Sequence, residues 1–195
     1  DSMDGLVAGL SGTTFLFFLP VTLASGQVYL TTISVILLGT CAGLYIYNIT
    51  PARLFLGDSG AQLLGFIVAS IAMAYAPVGL PPVTSWFVPI LLLSIPIFDT
   101  TLVTVSRLRR KRPVYKANRD HTYHRLVALG MSPVRAVMVI HLVAILIDCL
   151  AFVALSLSPL AANIIFGGIL LAGVAAISWL ESRLLPEQPL PDSGS

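Results

Sequence analysis

The sequence predicts an all-α fold, a polytopic transmembrane bundle of about six membrane-spanning helices. Charge content, the length of the apolar runs and the segregation of charges between those runs carry this reading. Of 195 residues, 56% are hydrophobic and only 10% are charged, and mean hydropathy is +0.92. A soluble domain carries about 25% charged residues. A chain this poor in charge cannot cover a water-facing surface, so its solvent must be a bilayer.

Crossing about 30 Å of hydrocarbon takes roughly 20 apolar residues. Candidate spans run from about Leu6 to Leu23, Val28 to Tyr47, Gln62 to Ala76 (extendable back through Ser59), Trp86 to Val105, Val134 to Leu155 and Leu160 to Leu180. The connections fall into two chemical sets. One is short and uncharged: 24–27, 77–85 and 156–159. The other holds the start with Asp1 and Asp4, the stretches 48–60 and 106–133, and the end from Glu181. The two sets alternate along the chain, as an up-and-down bundle requires.

All 11 Lys and Arg residues lie on the side of the second set, most of them between Arg107 and Arg125. The positive-inside rule puts that side in the cytoplasm, in a multi-pass protein of the plasma (inner) membrane with both ends cytoplasmic. Residues 1–184 read as one membrane domain, and the proline-rich 185–195 as a disordered tail. The chain opens Asp1-Ser2-Met3-Asp4-Gly5, with neither an initiator Met nor a signal peptide, which reads as an internal start. Cys41 and Cys149 sit in apolar runs without C-x-x-C spacing. They are expected to be small buried hydrophobes, not a disulfide or a zinc site.

The stretch Asn48-Ile49-Thr50-Pro51-Ala52-Arg53-Leu54-Phe55-Leu56-Gly57-Asp58-Ser59-Gly60 places an Asp and a Ser between two glycines just before a helix. Such a turn can offer backbone N–H groups to an anion. Asp58 adds a hard oxygen ligand of the kind Mg²⁺ takes, one or two carboxylates alongside substrate phosphates. The plainer reading is that Asp58 or Ser59 caps the helix.

The longest connection opens with the basic run Arg107-Leu108-Arg109-Arg110-Lys111-Arg112, which topology and attraction to anionic lipid explain. They do not explain Asn118-Arg119-Asp120-His121-Thr122-Tyr123-His124-Arg125. His121 and His124 are spaced to share a helix face. With Arg125 beside them they suit a pyrophosphate, Arg as a planar fork and His as a hydrogen-bond or proton donor. Incidental histidines on a juxtamembrane helix are the alternative. Asp99 lies inside the fourth span, about two turns from its charged end, and an intramembrane carboxylate is a functional candidate by default. His141 and Asp148, on one face of the fifth span, read as an internal hydrogen-bonded pair or as polar glue within the bundle.

Together these stretches resemble the polyprenyl-phosphate N-acetylhexosamine-1-phosphate transferases, integral membrane enzymes of glycosyltransferase family 4 that begin lipid-linked cell-wall and surface polysaccharides. Asp1-x-x-Asp4-Gly5-Leu6 resembles the end of the family's Asn-x-x-Asp-x-x-Asp-Gly-Leu motif. Asn48-x-x-Pro51-Ala52-x-x-Phe55-Leu56-Gly57-Asp58-Ser59-Gly60 is similar to its most specific signature. Pro96-x-x-Asp99-Thr100 resembles the branch with N-acetylglucosamine-type substrates, and Asp120-His121-Thr122-Tyr123-His124-Arg125-Leu126 its histidine motif. The chain departs from the family at Tyr123, where histidine is frequent, and it contains no Asp-Asp pair. It therefore reads as the C-terminal portion of such an enzyme, inactive in isolation.

The resemblance implies transfer of N-acetylhexosamine-1-phosphate from a UDP-sugar to undecaprenyl phosphate, releasing UMP. It implies catalytic roles for Asp4, Asp58, His121 and His124, with Asp58 as ligand of Mg²⁺ or substituting Mn²⁺. Substrate contacts fall to Asp1, Asn48, Phe55, Gly57, Ser59, Asp99, Arg119 and Arg125, with Phe55 stacking on uracil. The implied partners are the UDP-sugar, undecaprenyl phosphate and the bilayer, with a homodimer left open and no nucleic acid. The competing class is a transporter that passes ions along Asp99, His141 and Asp148. Its weakness is that the polar groups gather on one side of the membrane.

Overall fold

The computed structural model describes residues 3–77, 80–111 and 121–183. Asp1, Arg119 and the tail 185–195 lie outside these. The described residues are helical, without strands. Helix α1 covers Leu6–Ala24, α2 Val28–Asn48 and α3 Gly57–Ala74. Three shorter helices follow: α4 (Pro82–Ser85), α5 (Val88–Leu92) and α6 (Ser94–Arg109). Then come a small helix α7 (Thr122–Ala128) and the long helices α8 (Pro133–Ala154) and α9 (Pro159–Arg183). Among the described residues five helices are long and apolar enough to cross a membrane, or six if the bent run 82–109 is one broken span. The protein is a multi-pass membrane bundle, as its composition requires.

The fourth span is not the continuous helix that its apolar run suggests. It breaks near Leu93 and bends by 65°. Pro96 explains the position: proline has no N–H to give the carbonyl four residues back, and its ring crowds that carbonyl. That acceptor is Leu92 O, and the Thr14 hydroxyl of α1 lies 3.2 Å from it. The hydroxyl also reaches Leu10 O of its own helix at 2.9 Å, so its one proton is shared between that carbonyl and the backbone group that proline leaves open.

Helix α1 is the hub, packing on α2, α3, α5 and α8. Phe15, Phe18 and Val21 meet Phe87, Val88, Leu91 and Leu92 around α5, with Ala151 and Ala154 of α8 and Ala162 of α9. The outer faces stay apolar and exposed, Leu142 and Leu146 on α8 and Leu160 and Leu171 on α9 among them. In a bilayer that is a solvated surface. Cys41 is buried as expected, whereas Cys149 is exposed on the outer face of α8, because it follows Asp148, which points inward.

Chain alternation brings the start of α1, the end of α2, the start of α3, the end of α6, α7, the start of α8 and the end of α9 to one end of the bundle. Ser132 opens α8 by accepting a hydrogen bond from Arg135 N, with Pro133 at the first helical position, where its missing N–H costs nothing.

Candidate active site

The 48–60 stretch is clasped onto the start of α1. Asn48 is buried, and its amide oxygen accepts a 3.0 Å hydrogen bond from Gly5 N, while its amide nitrogen donates to Leu54 O at 2.8 Å. Asp4 Oδ2 accepts from Ala52 N at 3.2 Å. Two motifs more than 40 residues apart are thus joined by side chain–backbone bonds. The Asn48 amide is engaged inside the protein, where it shapes the loop.

The loop presents the remaining motif residues to solvent. Phe55 is 74% exposed, and Asp58 and Ser59 are exposed. Gly57 has φ 70°, a left-handed turn that glycine makes without strain, and it opens α3. The residue preceding α3 is Leu56, and no side chain caps the helix. The plainer expectation that Asp58 or Ser59 is the cap therefore fails. Asp58 stands in the first turn with its carboxylate uncommitted to capping.

A second cluster joins α6 to α7. His121 Nδ1 lies 2.7 Å from Asp99 Oδ2, and Thr122 N donates to Asp99 Oδ1 at 2.7 Å. Asp99 thus uses both oxygens on the opening of α7, taking an N–H that no helical carbonyl can accept. His121 precedes α7 in an extended conformation. The expected helix face shared by His121 and His124 does not form: only His124 is on the helix, and the His121 ring turns to Asp99. Helix α6 runs about one turn beyond Val105, at which the apolar run ends, through to Arg109. The hydrogen bond to Asp99 raises the His121 pKa, against a smaller opposing effect of burial.

Arg125 occupies a third position. Its side chain is 3% exposed and its Nη1 pairs with Glu181 Oε1, on a side chain 8% exposed. The guanidinium assigned to substrate is held between helices, against a residue that the sequence placed just beyond the last apolar run. Helix α9 continues through Glu181 to Arg183, which carries the carboxylate to α7. A charged residue ending an otherwise apolar helix was the available signal. Tyr123 is buried against Ala136, Val137 and Ile140 of α8, so this position packs.

The residues of the competing transport reading do not connect. His141 Nε2 lies 3.3 Å from Leu6 O of α1, so of the two expected roles it joins helices in the bundle rather than pairing with Asp148. Asp148 is separately buried, at 2% exposure, and Asp99 is engaged by His121 and Thr122.

Residues 1–76, which contain Asp4 and the whole clasped loop, match the profile of glycosyl transferase family 4. The relatives agree. A probable undecaprenyl-phosphate N-acetylglucosaminyl 1-phosphate transferase of Bacillus subtilis is 34% identical over 155 residues, 78% of this chain and 42% of that protein. The chain belongs to glycosyl transferase family 4. A decaprenyl-phosphate N-acetylglucosaminephosphotransferase of Mycobacterium tuberculosis is 31% identical over 196 residues, 91% of this chain and 48% of that protein. A phospho-N-acetylmuramoyl-pentapeptide-transferase of Symbiobacterium thermophilum is 43% identical over 74 residues, 37% of this chain and 22% of that protein. The family 4 chain spans less than half the length of these relatives. No solved structure matches it.

Among the described residues of this family 4 chain, no group of three or more His, Cys, Asp or Glu side chains is arranged to hold a metal ion. A buried all-protein cage, as for zinc, is not what they build. They fit the hard-cation pattern instead: a single exposed carboxylate, Asp58, not used as a helix cap. Mg²⁺ binds in that way, taking most of its ligands from water and substrate phosphates.

Proposed function

We propose that this chain carries part of the active site of a membrane phosphotransferase. The reaction moves N-acetylhexosamine-1-phosphate from a UDP-sugar to undecaprenyl or another polyprenyl phosphate and releases UMP. The observation that supports it best is the Asp99–His121 pair, a carboxylate-oriented histidine at the charged end of a membrane bundle. The relatives' names point to the same chemistry. The N-acetylglucosamine branch is favoured by Asp99 in Pro96-x-x-Asp99-Thr100.

The donor is water-soluble and anionic, and the acceptor phosphate sits at the headgroup level. Their meeting point has to be polar, cationic and interfacial. An acceptor oxygen attacks the β-phosphorus, the bond from that phosphorus to the bridging oxygen breaks, and UMP leaves. Asp99 holds His121 through Nδ1, and the His121 side chain is 48% exposed. A histidine proton kept by Asp99 offsets negative charge on the diphosphate, the kind of fixed electrostatic help that lowers such barriers. Asp58 would hold Mg²⁺, or Mn²⁺ in its place, which when bound neutralises phosphate charge and steadies the leaving group. Phe55, exposed beside it, stacks on the uracil ring, and Gly57 and Ser59 leave room for phosphate to approach the backbone. The site faces the cytoplasm of the plasma membrane, supported by the Lys and Arg distribution.

The test is an assay of the full-length protein in detergent with UDP-N-acetylglucosamine and undecaprenyl phosphate. UMP should appear only when acceptor and Mg²⁺ are both present. A full-length protein that moves the nucleotide sugar or ions across vesicles without releasing UMP would sink the proposal.

A further inference from the structure

We propose that Glu181, near the end of the last membrane helix, is a positioning residue for the histidine segment and acts through Arg125. The inference rests on the phosphotransferase reading and extends it to a helix that this reading leaves without a role. Helix α7 has seven residues, far below the about 12–15 that an isolated helix needs to be even marginally stable in water. Its placement has to come from outside.

Three membrane helices supply it. Asp99 of α6 takes the Thr122 N–H and the His121 ring at the opening of α7. Tyr123 is buried on Ala136, Val137 and Ile140 of α8. Arg125 is paired with Glu181 of α9, 56 residues away in sequence. The first two anchors hold the start of α7. The third holds its far side, on the residue that directly follows His124.

Both partners of that third anchor are almost fully buried. Such a pair contributes little net stability but is costly to break, because a buried charge then loses a partner. Without Glu181 the tie from α7 to α9 is lost, and the Asp99 bonds and the Tyr123 packing hold only the start of α7. The segment that carries His124 would then be less closely held in register with a substrate phosphate. Helix α9, largely lipid-exposed along its length, thus reaches the site through one carboxylate.

The experiment uses the full-length protein. Glu181→Gln keeps the shape and removes the charge. It should lower kcat by about 10- to 100-fold, the scale for an ångström-level misplacement of a catalytic group, with KM for the UDP-sugar changed much less. Glu181→Asp should recover part of the loss, as should the exchanged pair Arg125→Glu with Glu181→Arg. A spin-label pair at Ala128→Cys and Ser182→Cys in a Cys149→Ser background reports the α7–α9 distance directly. That distance should broaden or lengthen in Glu181→Gln and return in the exchanged pair. Should Glu181→Gln fail to fold, the exchanged pair decides: recovered kcat and distance support the proposal, and a folded exchanged protein with the wild-type α7–α9 distance but a kcat still low by that factor overturns it. Unchanged kcat together with an unchanged distance in Glu181→Gln overturns it as well. If the wild-type protein releases no UMP, the phosphotransferase reading fails, and the distance measurement still tests the clamp.

Discussion

Asp99 and His121 are 22 residues apart in the chain and 2.7 Å apart in space. A carboxylate within a membrane helix and a histidine beyond a basic loop form one unit, and Asp99 completes it by taking the Thr122 N–H. The pair makes His121 a stronger base than an ordinary histidine.

That shift has a sign. The folded pKa of His121 lies above its ordinary 6.5, chiefly because of the hydrogen bond to Asp99. The associated stabilisation is complete below the ordinary value and is lost as pH rises through the raised one. Asp99→Asn removes the charge that holds the proton. His121 in that variant should titrate at lower pH, and the alkaline fall of UMP release in the full-length enzyme should move down with it. Histidine NMR titration of wild type and variant measures this, and an identical midpoint in the two would disprove the coupling.

Asp58 tests a different part of the site. It is exposed and caps nothing, so Asp58→Asn should leave thermal stability nearly unchanged. Turnover by the full-length enzyme should fall at least about 100-fold, the scale for loss of one electrostatic transition-state contact. UDP-sugar binding without metal should change much less. Near-normal turnover with normal Mg²⁺ dependence would remove Asp58 from the site.

Asn48 is predicted to matter for the loop's stability. Asn48→Ala strands Gly5 N and Leu54 O, which the amide now serves. Leaving a buried polar group unpaired costs about 1–3 kcal/mol. Asn48→Asp keeps the acceptor for Gly5 but loses the donor to Leu54, so it should also destabilise. Thermal unfolding in detergent compares the variants, and an Asn48→Asp protein as stable as wild type would contradict the two-sided role.

Gly9 makes room for His141. A Cβ at Gly9 would fall 2.3 Å from His141 Nε2 and 3.0 Å from Tyr45 Cε2, where the ring reaches the Leu6 carbonyl. Gly9→Ala should cost about 1–3 kcal/mol, as overpacking does. The penalty should shrink in a His141→Ala background, because the two residues share one space. Additive effects of the two substitutions in thermal unfolding would show that the clash is relieved elsewhere.

The sequence by itself determined the solvent, the all-helical class, the span count and the side on which the polar groups gather. Each follows from properties local to a segment: apolar length against bilayer thickness, and charge placement along the chain. It also singled out the stretches expected to carry chemistry, since Asn48–Gly60 and His121–Arg125 have residue types that topology alone does not call for. The tertiary structure decided what each side chain does. Pro96 could break its span because Thr14, from another helix, lies against the opened carbonyl. His121 left the expected helix face because Asp99 captured both its ring and the next N–H. Asn48 and Arg125, read as substrate ligands, are committed to Gly5 and Leu54 and to Glu181 respectively, while Asp58, read alternatively as a cap, is uncommitted to one. Apart from the local Asn48–Leu54 bond, these outcomes depend on partners 22 to 78 residues distant. A hydrogen bond reaches only about 3 Å, so which polar groups meet is settled by the packing of whole helices and not by any pattern within one segment.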